Sequence, residues 1–453
     1  MTLHIVVLAA GQGKRMHSSL PKVLQPLGDR PLLAHVVEAA QGLAPEQIHV
    51  VYGHGAEQVR SALGYLPVRW VHQAERLGTG HAVDQAMDEI SDDALVLVLY
   101  GDVPLIRVPT LQGLVSAADA QTLALLSVEL DDARGYGRIL RDNDNRVVGI
   151  VEDQDASGDQ RHLREANTGL LCAPARPLRG WLRALNNRNA QGEYYLTDIA
   201  AMAVADGLRV VAGAAGSAEE VQGINDRSEL ARAERFLQRR LAEAVMAQGV
   251  TLRDPARFDL RGRLTAGHDC VIDVGAVLEG EVKLGEGVHV GPFCLLRNCE
   301  IGAGTMVASH SVIDHARVGA RCQIGPFARL RPDTELGERA KVGNFVETKK
   351  VRIGAGSKVN HLSYVGDAEL GRDVNIGAGV ITCNYDGVAK HRTVIGDGAF
   401  IGSDCQLVAP VEVAAGAVFG AGSTITRNAP ADKLTISRAR QVTVQGWKKP
   451  VKT

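Results

Sequence analysis

The chain has 453 residues, of which 45% are hydrophobic and 23% are charged, and its formal net charge at pH 7 is −2. This length exceeds one ordinary hydrophobic core and predicts two or three domains. The nearly neutral charge argues against general electrostatic binding to nucleic acid or to a membrane surface. Anionic substrates would therefore have to be held by local groups of basic residues.

The seven cysteines favour a reducing compartment, because their number is odd and no CxxC pair occurs. The same spacing predicts no zinc site. The N-terminus runs from Met1 directly into a short apolar segment and lacks the features of a secretory signal peptide. No apolar run reaches the length of about 18 residues that a membrane span needs. We expect a cytoplasmic protein without integral membrane contact.

Residues 1 to about 226 alternate short apolar runs with segments of helical spacing. The apolar runs cover residues 5–8, 49–52 and 95–99, and they are typical of strands buried on both faces of a parallel sheet. Helical spacing follows over residues 32–40 and 81–90. The alternation predicts a doubly wound, Rossmann-like α/β domain over residues 1–226.

Residues 228–248 have the pattern of one long amphipathic helix. Asp226 and Glu229 have the spacing of an N-terminal cap and its partner, and Gly249 follows as a stop. We expect residues 227–249 to link the N-terminal domain to a C-terminal domain of residues 250–453. The apolar residues near one face of this helix are Leu230, Leu237, Leu241 and Val245.

From about residue 265 the chain repeats every six residues, which predicts a parallel β-helix. Each aliphatic residue of the repeat would point inward and stack on its counterpart in the next coil. An antiparallel sandwich would instead need a period of two. Two runs carry the repeat: Val318, Ile324, Leu330, Leu336, Val342, and then Ile395, Ile401, Leu407, Val413, Phe419, Ile425.

Two phase slips interrupt this repeat, one between Val342 and Ile353 and the other between Thr382 and Ile395. We expect each slip to mark an insertion that forms a loop. Loops on a rigid solenoid often carry functional residues, and both slips lie beside polar stretches of the sequence.

A glycine-rich turn follows the first predicted strand and reads Ala-Ala-Gly-Gln-Gly-Lys-Arg-Met over residues 9–16, with Pro21 and Lys22 further on. Backbone N–H groups of such a turn can bind phosphate. The turn is not a Walker A loop, and Met16 replaces the third glycine of the dinucleotide fingerprint. By itself it is equally compatible with a simple tight turn.

The motif Leu-Ala-Ala-Gly-x-Gly-x-Arg-Met, followed by Pro-Lys, resembles the signature of nucleoside-diphosphate-sugar pyrophosphorylases. With the hexapeptide region, nearly the whole chain resembles the family of bifunctional N-acetylglucosamine-1-phosphate uridyltransferases and glucosamine-1-phosphate acetyltransferases. Lys14 departs from this family, which usually has Thr there; an added cation beside a triphosphate should be tolerated. Further matches, in chain order, are Gln73, Leu77-Gly78-Thr79-Gly80, Tyr100-Gly101-Asp102, Gly135-Tyr136-Gly137-Arg138, Glu152, Asn167-Thr168-Gly169, Tyr195-Leu196-Thr197-Asp198 and Asn225.

Asp102 ends an apolar predicted strand, where α/β sheets bind ligands, and its carboxylate suits Mg²⁺. The resemblance implies Asn225 as the second Mg²⁺ ligand and Arg15 and Lys22 as catalytic cations for UTP. Alternatively, Asp102 could cap a helix, and Glu152 and Thr197 could be packing or surface residues. The residues that the resemblance assigns to UTP and UDP-sugar are Leu8, Ala9, Ala10, Gly11, Lys22, Gln73, Gly78, Thr79, Tyr100, Gly101, Asp102, Gly137, Glu152, Asn167, Thr197 and Asn225.

His361 is the natural general base of the C-terminal region, because imidazole titrates near neutral pH. It would take a proton from the sugar amine as that amine attacks acetyl-CoA. A lone solenoid histidine is more commonly packed or solvated; His361 stands out because its His-Leu-Ser-Tyr segment matches the family motif. By resemblance, the amino-sugar phosphate binds Arg331, Lys349, Tyr364 and Asn375, and acetyl-CoA binds Ala378, Asn384, Tyr385, Ser403, Ala421 and Arg438.

The resemblance also implies a left-handed helix and a homotrimer, in which Arg438 of one copy serves His361 of another. The leading hypothesis is a bifunctional enzyme that makes UDP-N-acetylglucosamine for cell-wall precursors from glucosamine-1-phosphate, acetyl-CoA and UTP, with Mg²⁺. A second hypothesis retains only the nucleotidyl transfer and makes the β-helix structural. A third is a non-catalytic scaffold. The intact residue sets of both regions argue against the second and third.

Overall fold

The computed structural model describes residues 1–450, and the chain divides into two compact units, Met1–Leu237 and Gln238–Thr453. The division falls inside the helix Arg227–Ala247, which lies where the sequence predicts a helix. Asp226 Oδ1 accepts a hydrogen bond of 2.8 Å from the backbone N–H of Glu229, as expected for the N-terminal cap. None of the described helices is both long and apolar enough to cross a membrane.

A mixed sheet forms the centre of the first unit, flanked by helices. All neighbouring pairs on its main path are parallel except those of Glu165–Pro174, which runs antiparallel to both neighbours. The sequence predicts the parallel strands but not this reversed one. The strands, in spatial order, are Arg209–Ala214, Thr122–Glu129, Glu165–Pro174, Leu95–Tyr100, Leu3–Ala9, Gln47–Tyr52 and Arg69–His72. Off this path, Arg138–Arg141 pairs with Glu165–Pro174, and Val147–Val151 pairs with Arg138–Arg141.

The central strands are buried on both faces, which makes the first unit a doubly wound α/β domain. Ile5 and Leu97 belong to one hydrophobic core, whereas the adjacent Val6 and Val98 belong to the other. This alternation is the expected result of a period of two in a strand covered on both sides. The helices of this unit before Arg227–Ala247 are Leu32–Gln41, Ala56–Leu63, Thr79–Met87, Val108–Ser116, Gly158–Arg161, Ala175–Ala184, Ile199–Ala205 and Ala218–Val221, with 3₁₀ turns Lys14–Met16, Lys22–Leu24 and Leu196–Asp198 and a small hairpin, Pro26–Leu27 and Arg30–Pro31.

A buried histidine pair lies on the two strands Leu3–Ala9 and Gln47–Tyr52. His4 Nδ1 and His49 Nε2 are 3.3 Å apart, and His49 is 1% exposed. Burial, and to a lesser extent the neighbouring His4, lowers the pKa of His49 from 6.5 to about 4, so this imidazole is neutral at pH 7.

We expect the first unit to lose stability as the pH falls from about 7.5 to about 5. The unfolded His49 binds a proton below its ordinary pKa while the folded one does not, which costs at most about 2 kcal/mol over this range. The measurement is the urea midpoint at each pH, followed by tryptophan fluorescence, to which Trp70 and the buried Trp181 of this unit contribute. His49→Gln should reduce the pH dependence but not abolish it, because burial also lowers the pKa of His35 in this unit. Exposed His54→Gln, the control, should retain it in full.

The second unit is a parallel β-helix built from two long sheets. Every strand pair in both sheets is parallel, for example Val271–Ile272 with His289–Val290. One sheet contains Thr251–Leu252, Val271–Ile272, His289–Val290, Met306–Val307, Gln323–Ile324, Lys341–Asn344, Lys358–His361, Asn375–Ile376, Phe400–Ile401, Val418–Phe419 and Leu434–Thr435. The other contains Asp259–Ala266, Val277–Leu284, Leu295–Ile301, Val312–Asp314, Ala316–Val318, Arg329–Leu330, Thr334–Leu336, Glu347–Ile353, Tyr364–Leu370, Ile381–Cys383, Thr393–Ile395, Gln406–Val408, Val411–Val413 and Thr424–Ile425.

Every residue of the two predicted runs, whose members are spaced six positions apart, is at most 5% exposed. The predicted inward stack is therefore confirmed. The glycines that follow them are required by the close approach of the next coil. A Cβ atom on Gly337 would lie 2.6 Å from the backbone nitrogen of Ala355, and one on Gly402 would lie 2.5 Å from the carbonyl oxygen of Phe419. The sequence signal thus reflects coil-to-coil packing more than turn conformation.

The two phase slips have different structural causes. At the first, Val342 pairs with Val359, 17 positions later, whereas Ile324 pairs with Val342, 18 positions later. The expected insertion is therefore wrong there: that coil is one residue shorter and Glu347–Ile353 continues unbroken. At the second slip, Ile376 pairs with Ile401, 25 positions later, so the expected inserted loop is confirmed.

Candidate active sites

A cavity of about 480 Å³ opens at the carboxyl ends of the strands Leu3–Ala9 and Leu95–Tyr100. This is where α/β sheets commonly bind ligands. Ten residues predicted from the sequence for the nucleotide line it, together with Gln12, Val23, Arg76, Ala82 and Glu193. The ten are Leu8, Ala9, Ala10, Gly11, Lys22, Gln73, Gly78, Thr79, Tyr100 and Asp102.

Three predicted residues meet at one wall of this cavity. The Lys22 ammonium forms a short ion pair with Asp102 Oδ2 and donates a hydrogen bond of 3.1 Å to Asn225 Oδ1. Asn225 is held in turn by its backbone N–H, which donates to Glu229 Oε2 at 2.6 Å. The carboxylate of Asp102 does not cap the next helix, Val108–Ser116, whose cap position is Arg107. That alternative is therefore excluded.

The oxygens of Asp102 and Asn225 suit Mg²⁺. Both already converge on one cation, the Lys22 ammonium, so they can reach a common point. Hard divalent cations prefer such oxygen donors, and Mg²⁺ usually takes only one or two carboxylates and completes its shell with water and phosphate. Because these two oxygens can reach a common point, Asp102 and Asn225 form the candidate Mg²⁺ site.

The residues predicted for the sugar form a second connected group. Thr197 Oγ1 donates a hydrogen bond of 2.9 Å to Glu152 Oε1, and the backbone N–H of Asn167 donates to the carbonyl of Gly137 at 2.8 Å. A Cβ atom on Gly137 would lie 3.6 Å from Glu152 Oε2. Burial raises the pKa of Glu152, against the opposing hydrogen bond from Thr197. These contacts favour one common site that contains Glu152 and Thr197, over the alternative that the two are ordinary surface residues.

Tyr100 connects the sugar group to the nucleotide cavity. Burial, followed by the charges of Glu152 and Asp102, raises the pKa of its phenol, which stays protonated at neutral pH. Gly169 has φ of 84° and a Cβ atom there would lie 2.6 Å from the Tyr100 ring. Only glycine fits this contact, which explains the Asn-Thr-Gly segment noted in the sequence.

Besides the sugar group, three residues predicted for the nucleotide and Mg²⁺ do not line the cavity. Arg15 is exposed on the turn Lys14–Met16, and Gly101 packs beneath the cavity, where its N–H donates to the carbonyl of Leu8 at 2.9 Å. Asn225 contacts the cavity only through its hydrogen bond from Lys22. Sequence reasoning missed Gln12 and Arg76, whose side chains are 3.5 Å apart across the cavity. Their positions inside and beside the quoted motifs were the only available signal.

In the β-helix, most residues predicted for acetyl-CoA lie in one row across successive coils, beginning at His361. The carbonyl of His361 accepts from the N–H of Gly379, that of Ala378 from Asp404, and that of Ser403 from Gly422. The row ends where Arg438 Nη1 donates to the carbonyl of Ala421 at 2.7 Å. The exposed His361 is oriented by Asn344 on the preceding coil, because its Nδ1 lies 2.8 Å from Asn344 Oδ1. An amide oxygen can only accept, so Nδ1 carries the proton and Nε2 is left as the base.

Basic side chains gather at the inserted loop. Lys390, on the inserted loop, and more distantly Arg331 lower the pKa of Lys349 through contact and like-charge repulsion. Such mutual repulsion is relieved by a bound anion, which suits a phosphate group. Lys390 was not predicted from the sequence, since its approach depends on how the inserted loop folds back, with Tyr385 paired to Lys390.

Tyr364 and Asn384 lie together on neighbouring coils. Asn384 Nδ2 is 3.4 Å from Tyr364 Oη and forms a short hydrogen bond with Asp367 Oδ2. Asn375 lies on the strand Asn375–Ile376, and Tyr385 is exposed on the inserted loop, where its hydroxyl donates to the carbonyl of Gly387. The predicted polar stretch is thus assembled around the loop and the row that starts at His361.

Sequence comparisons agree with these two folds. Residues 5–198 match the family model described as MobA-like NTP transferase domain, residues 260–351 match the GMPPB C-terminal domain, and residues 392–427 match the bacterial transferase hexapeptide. These features define a bifunctional transferase with a nucleotidyltransferase domain and a left-handed β-helix of hexapeptide repeats.

Three relatives that match over nearly their full length carry the name Bifunctional protein GlmU. The protein from Alkalilimnicola ehrlichii is 62% identical over 99% of this chain and 96% of its own length. The protein from Azoarcus sp. is 57% identical over 99% of this chain and 100% of its own length. The protein from Methylococcus capsulatus is 57% identical over 100% of this chain and 98% of its own length. The chain belongs to the family of bifunctional GlmU proteins.

Proposed function

We propose that the β-helix site acetylates glucosamine-1-phosphate with acetyl-CoA and that the α/β site then uridylates the product with UTP. The products are CoA, pyrophosphate and UDP-N-acetylglucosamine, a precursor for cell-wall synthesis. The observation that carries the two-activity proposal is the oriented His361–Asn344 pair at the start of the predicted acetyl-CoA row. A purely structural β-helix, the second hypothesis, gives no reason for this pair.

In acetyl transfer, His361 Nε2 takes a proton from the sugar amine as the amine nitrogen attacks the thioester carbonyl and the CoA sulfur leaves. Asn344 holds the imidazole in the required tautomer. Arg331, Lys349 and Lys390 neutralise the sugar phosphate. General-base catalysis of this kind contributes about 10²–10⁴-fold.

In uridylyl transfer, an oxygen of the sugar phosphate attacks the α-phosphorus of UTP, and the bond to the departing pyrophosphate breaks. Asp102 and Asn225 would hold Mg²⁺, which supplies neutralisation of phosphate charge when bound. Lys22 and Arg15 add positive charge, while Gly137, Glu152, Asn167 and Thr197 hold the sugar. Positioning and charge neutralisation account for most catalysis in reactions of this class.

We further propose that the chain is a cytoplasmic homotrimer. All seven cysteines are free, in keeping with a reducing compartment. An exposed row of stacked rings runs along one corner of the β-helix, formed by Phe293, His310, Phe327 and Phe345, with centroids 4.8–5.3 Å apart. A contiguous apolar row of this kind suits burial against a second copy of the chain.

The test is a product assay on the purified chain with glucosamine-1-phosphate, acetyl-CoA, UTP and Mg²⁺. We expect both free CoA and UDP-N-acetylglucosamine, followed by mass. If UDP-sugar forms only from N-acetylglucosamine-1-phosphate supplied ready-made, and no CoA is released, the single-activity hypothesis replaces this one.

A further inference from the structure

Arg138, at the start of the strand Arg138–Arg141, is a buried charged residue that the proposed chemistry does not use. Only 1% of it is exposed. A guanidinium withdrawn from water is costly unless several acceptors satisfy its donors. Such a group therefore needs a structural or functional explanation.

The acceptors come from three separate segments of the chain. Arg138 Nη2 donates to Asp153 Oδ1 at 3.1 Å and to the carbonyl of Arg161 at 3.5 Å. Nε donates to the carbonyl of Leu163 at 3.1 Å, and Nη1 forms a short hydrogen bond with the carbonyl of Tyr136. One planar side chain thus joins the turn before its own strand, the segment just after the strand Val147–Val151, and the end of the helix Gly158–Arg161 with the residues that follow it.

Two of these partners are direct neighbours of proposed sugar-binding residues. Tyr136 precedes Gly137, and Asp153 follows Glu152. A Cβ atom on Gly137 would lie 3.6 Å from Glu152 Oε2, and Arg138 bonds the residue next to each of them: the backbone carbonyl of Tyr136 and the carboxylate of Asp153. A shift of about 1 Å in such a pair can cost about 10²-fold in rate.

We propose that Arg138 is a positioning residue that sets the spacing of Gly137 and Glu152 and so determines the affinity of the α/β site for the sugar phosphate. The inference rests on the proposed uridylyl transfer and adds a residue to it. Arg138 acts through its neighbours, without contact with substrate. Lysine cannot replace it, because the four acceptors need a planar fork of donors and an ammonium is a point charge.

The test compares Arg138→Lys with the unchanged full chain in uridylyl transfer. We expect the KM for N-acetylglucosamine-1-phosphate to rise about tenfold, while the KM for UTP changes by less than about twofold. Acetyl transfer should be unaffected. If Arg138 only stabilised the fold, the substitution would instead raise both Michaelis constants or lower the rates of uridylyl and acetyl transfer together.

Arg179→Lys is the matched control. Arg179 also binds two backbone carbonyls, of Met87 and Ile90, and one carboxylate, of Asp92, but none of these adjoins a proposed site residue. Its substitution should leave both Michaelis constants unchanged. Should Arg138→Lys fail to fold, Asp153→Asn gives the same comparison, since it removes the charge partner while keeping the shape.

The outcomes distinguish a failure of this inference from a failure of the proposed uridylyl transfer. If the unchanged chain transfers no uridylyl group, the proposed function is wrong and the inference falls with it. Another outcome is that the unchanged chain is active while Arg138→Lys has the same KM for the sugar phosphate, or raises the KM values for the sugar phosphate and UTP in parallel. In that case the positioning role of Arg138 is wrong and the proposed function stands. A selective rise supports both.

Discussion

Replacement of Asp102 by alanine is expected to lower uridylyl transfer by at least about 10³-fold while acetyl transfer stays within about twofold of the unchanged chain. The carboxylate is the only anionic member of the Lys22–Asp102–Asn225 group at the cavity wall. Its loss removes a proposed oxygen donor for Mg²⁺ and leaves the mostly buried Lys22 ammonium with the amide of Asn225 as its partner. Both effects act on the proposed phosphate-binding end of the nucleotide cavity.

The measurement is the initial rate of each half-reaction on the same preparation, at saturating Mg²⁺. Asp102→Asn separates charge from shape and should lose nearly as much uridylyl transfer as alanine, because it removes the one negative charge of the Lys22–Asp102–Asn225 group. Asp144→Ala, at an exposed carboxylate of the same unit, is the control and should retain both activities. Loss of acetyl transfer in folded Asp102→Ala would contradict the independence of the two sites.

The strands of the first unit were predictable because their apolar runs are long enough to be buried on both faces. The reversed strand Glu165–Pro174 was not, since its direction depends on its partners Leu95–Tyr100 and Thr122–Glu129 and leaves no mark in its own residues. It carries Asn167, however, and its direction brings the N–H of Asn167 to the carbonyl of Gly137. The resemblance identified Asn167; only the structure gives its surroundings.

The β-helix was predictable in register but not in its side-chain partners. Because one coil there takes 17 residues, Asn344 and His361 fall on the same row, and counting one coil back from His361 would have found the pair. The apparent insertion at the first phase slip concealed this count. Lys390 is different in kind, since its approach to Lys349 depends on how the inserted loop folds back.

Arg138 and Arg76 are two more residues whose surroundings the sequence pattern does not predict. Both lie inside or beside motifs that the sequence displays, yet neither the burial of one nor the cavity-facing position of the other follows from spacing. Periodicity reports which face of an element is buried, whereas a site requires contacts between elements far apart in the chain. The sequence therefore predicted the helices, the strands and the motif residues. It did not predict the residues that hold the motif residues in place.

Replacement of His361 by alanine is expected to have the opposite effect from that of Asp102: acetyl transfer falls by about 10²–10⁴-fold and uridylyl transfer from ready-made N-acetylglucosamine-1-phosphate is unchanged. The imidazole is the proposed acceptor of the proton from the sugar amine. Asn344→Ala should give a smaller loss, of about tenfold, because it releases the ring without removing it.

CoA release measures this effect directly, and His289→Ala, at an exposed histidine of another coil, is the matched control. Asn344→Ala also distinguishes orientation from simple presence of the base. If Asn344 fixes the tautomer, its loss lowers kcat and leaves the KM for acetyl-CoA unchanged, whereas a contact with acetyl-CoA would raise that KM. Equal acetyl transfer in His361→Ala and the unchanged chain would make the β-helix base some other residue and remove the ground for the two-activity proposal.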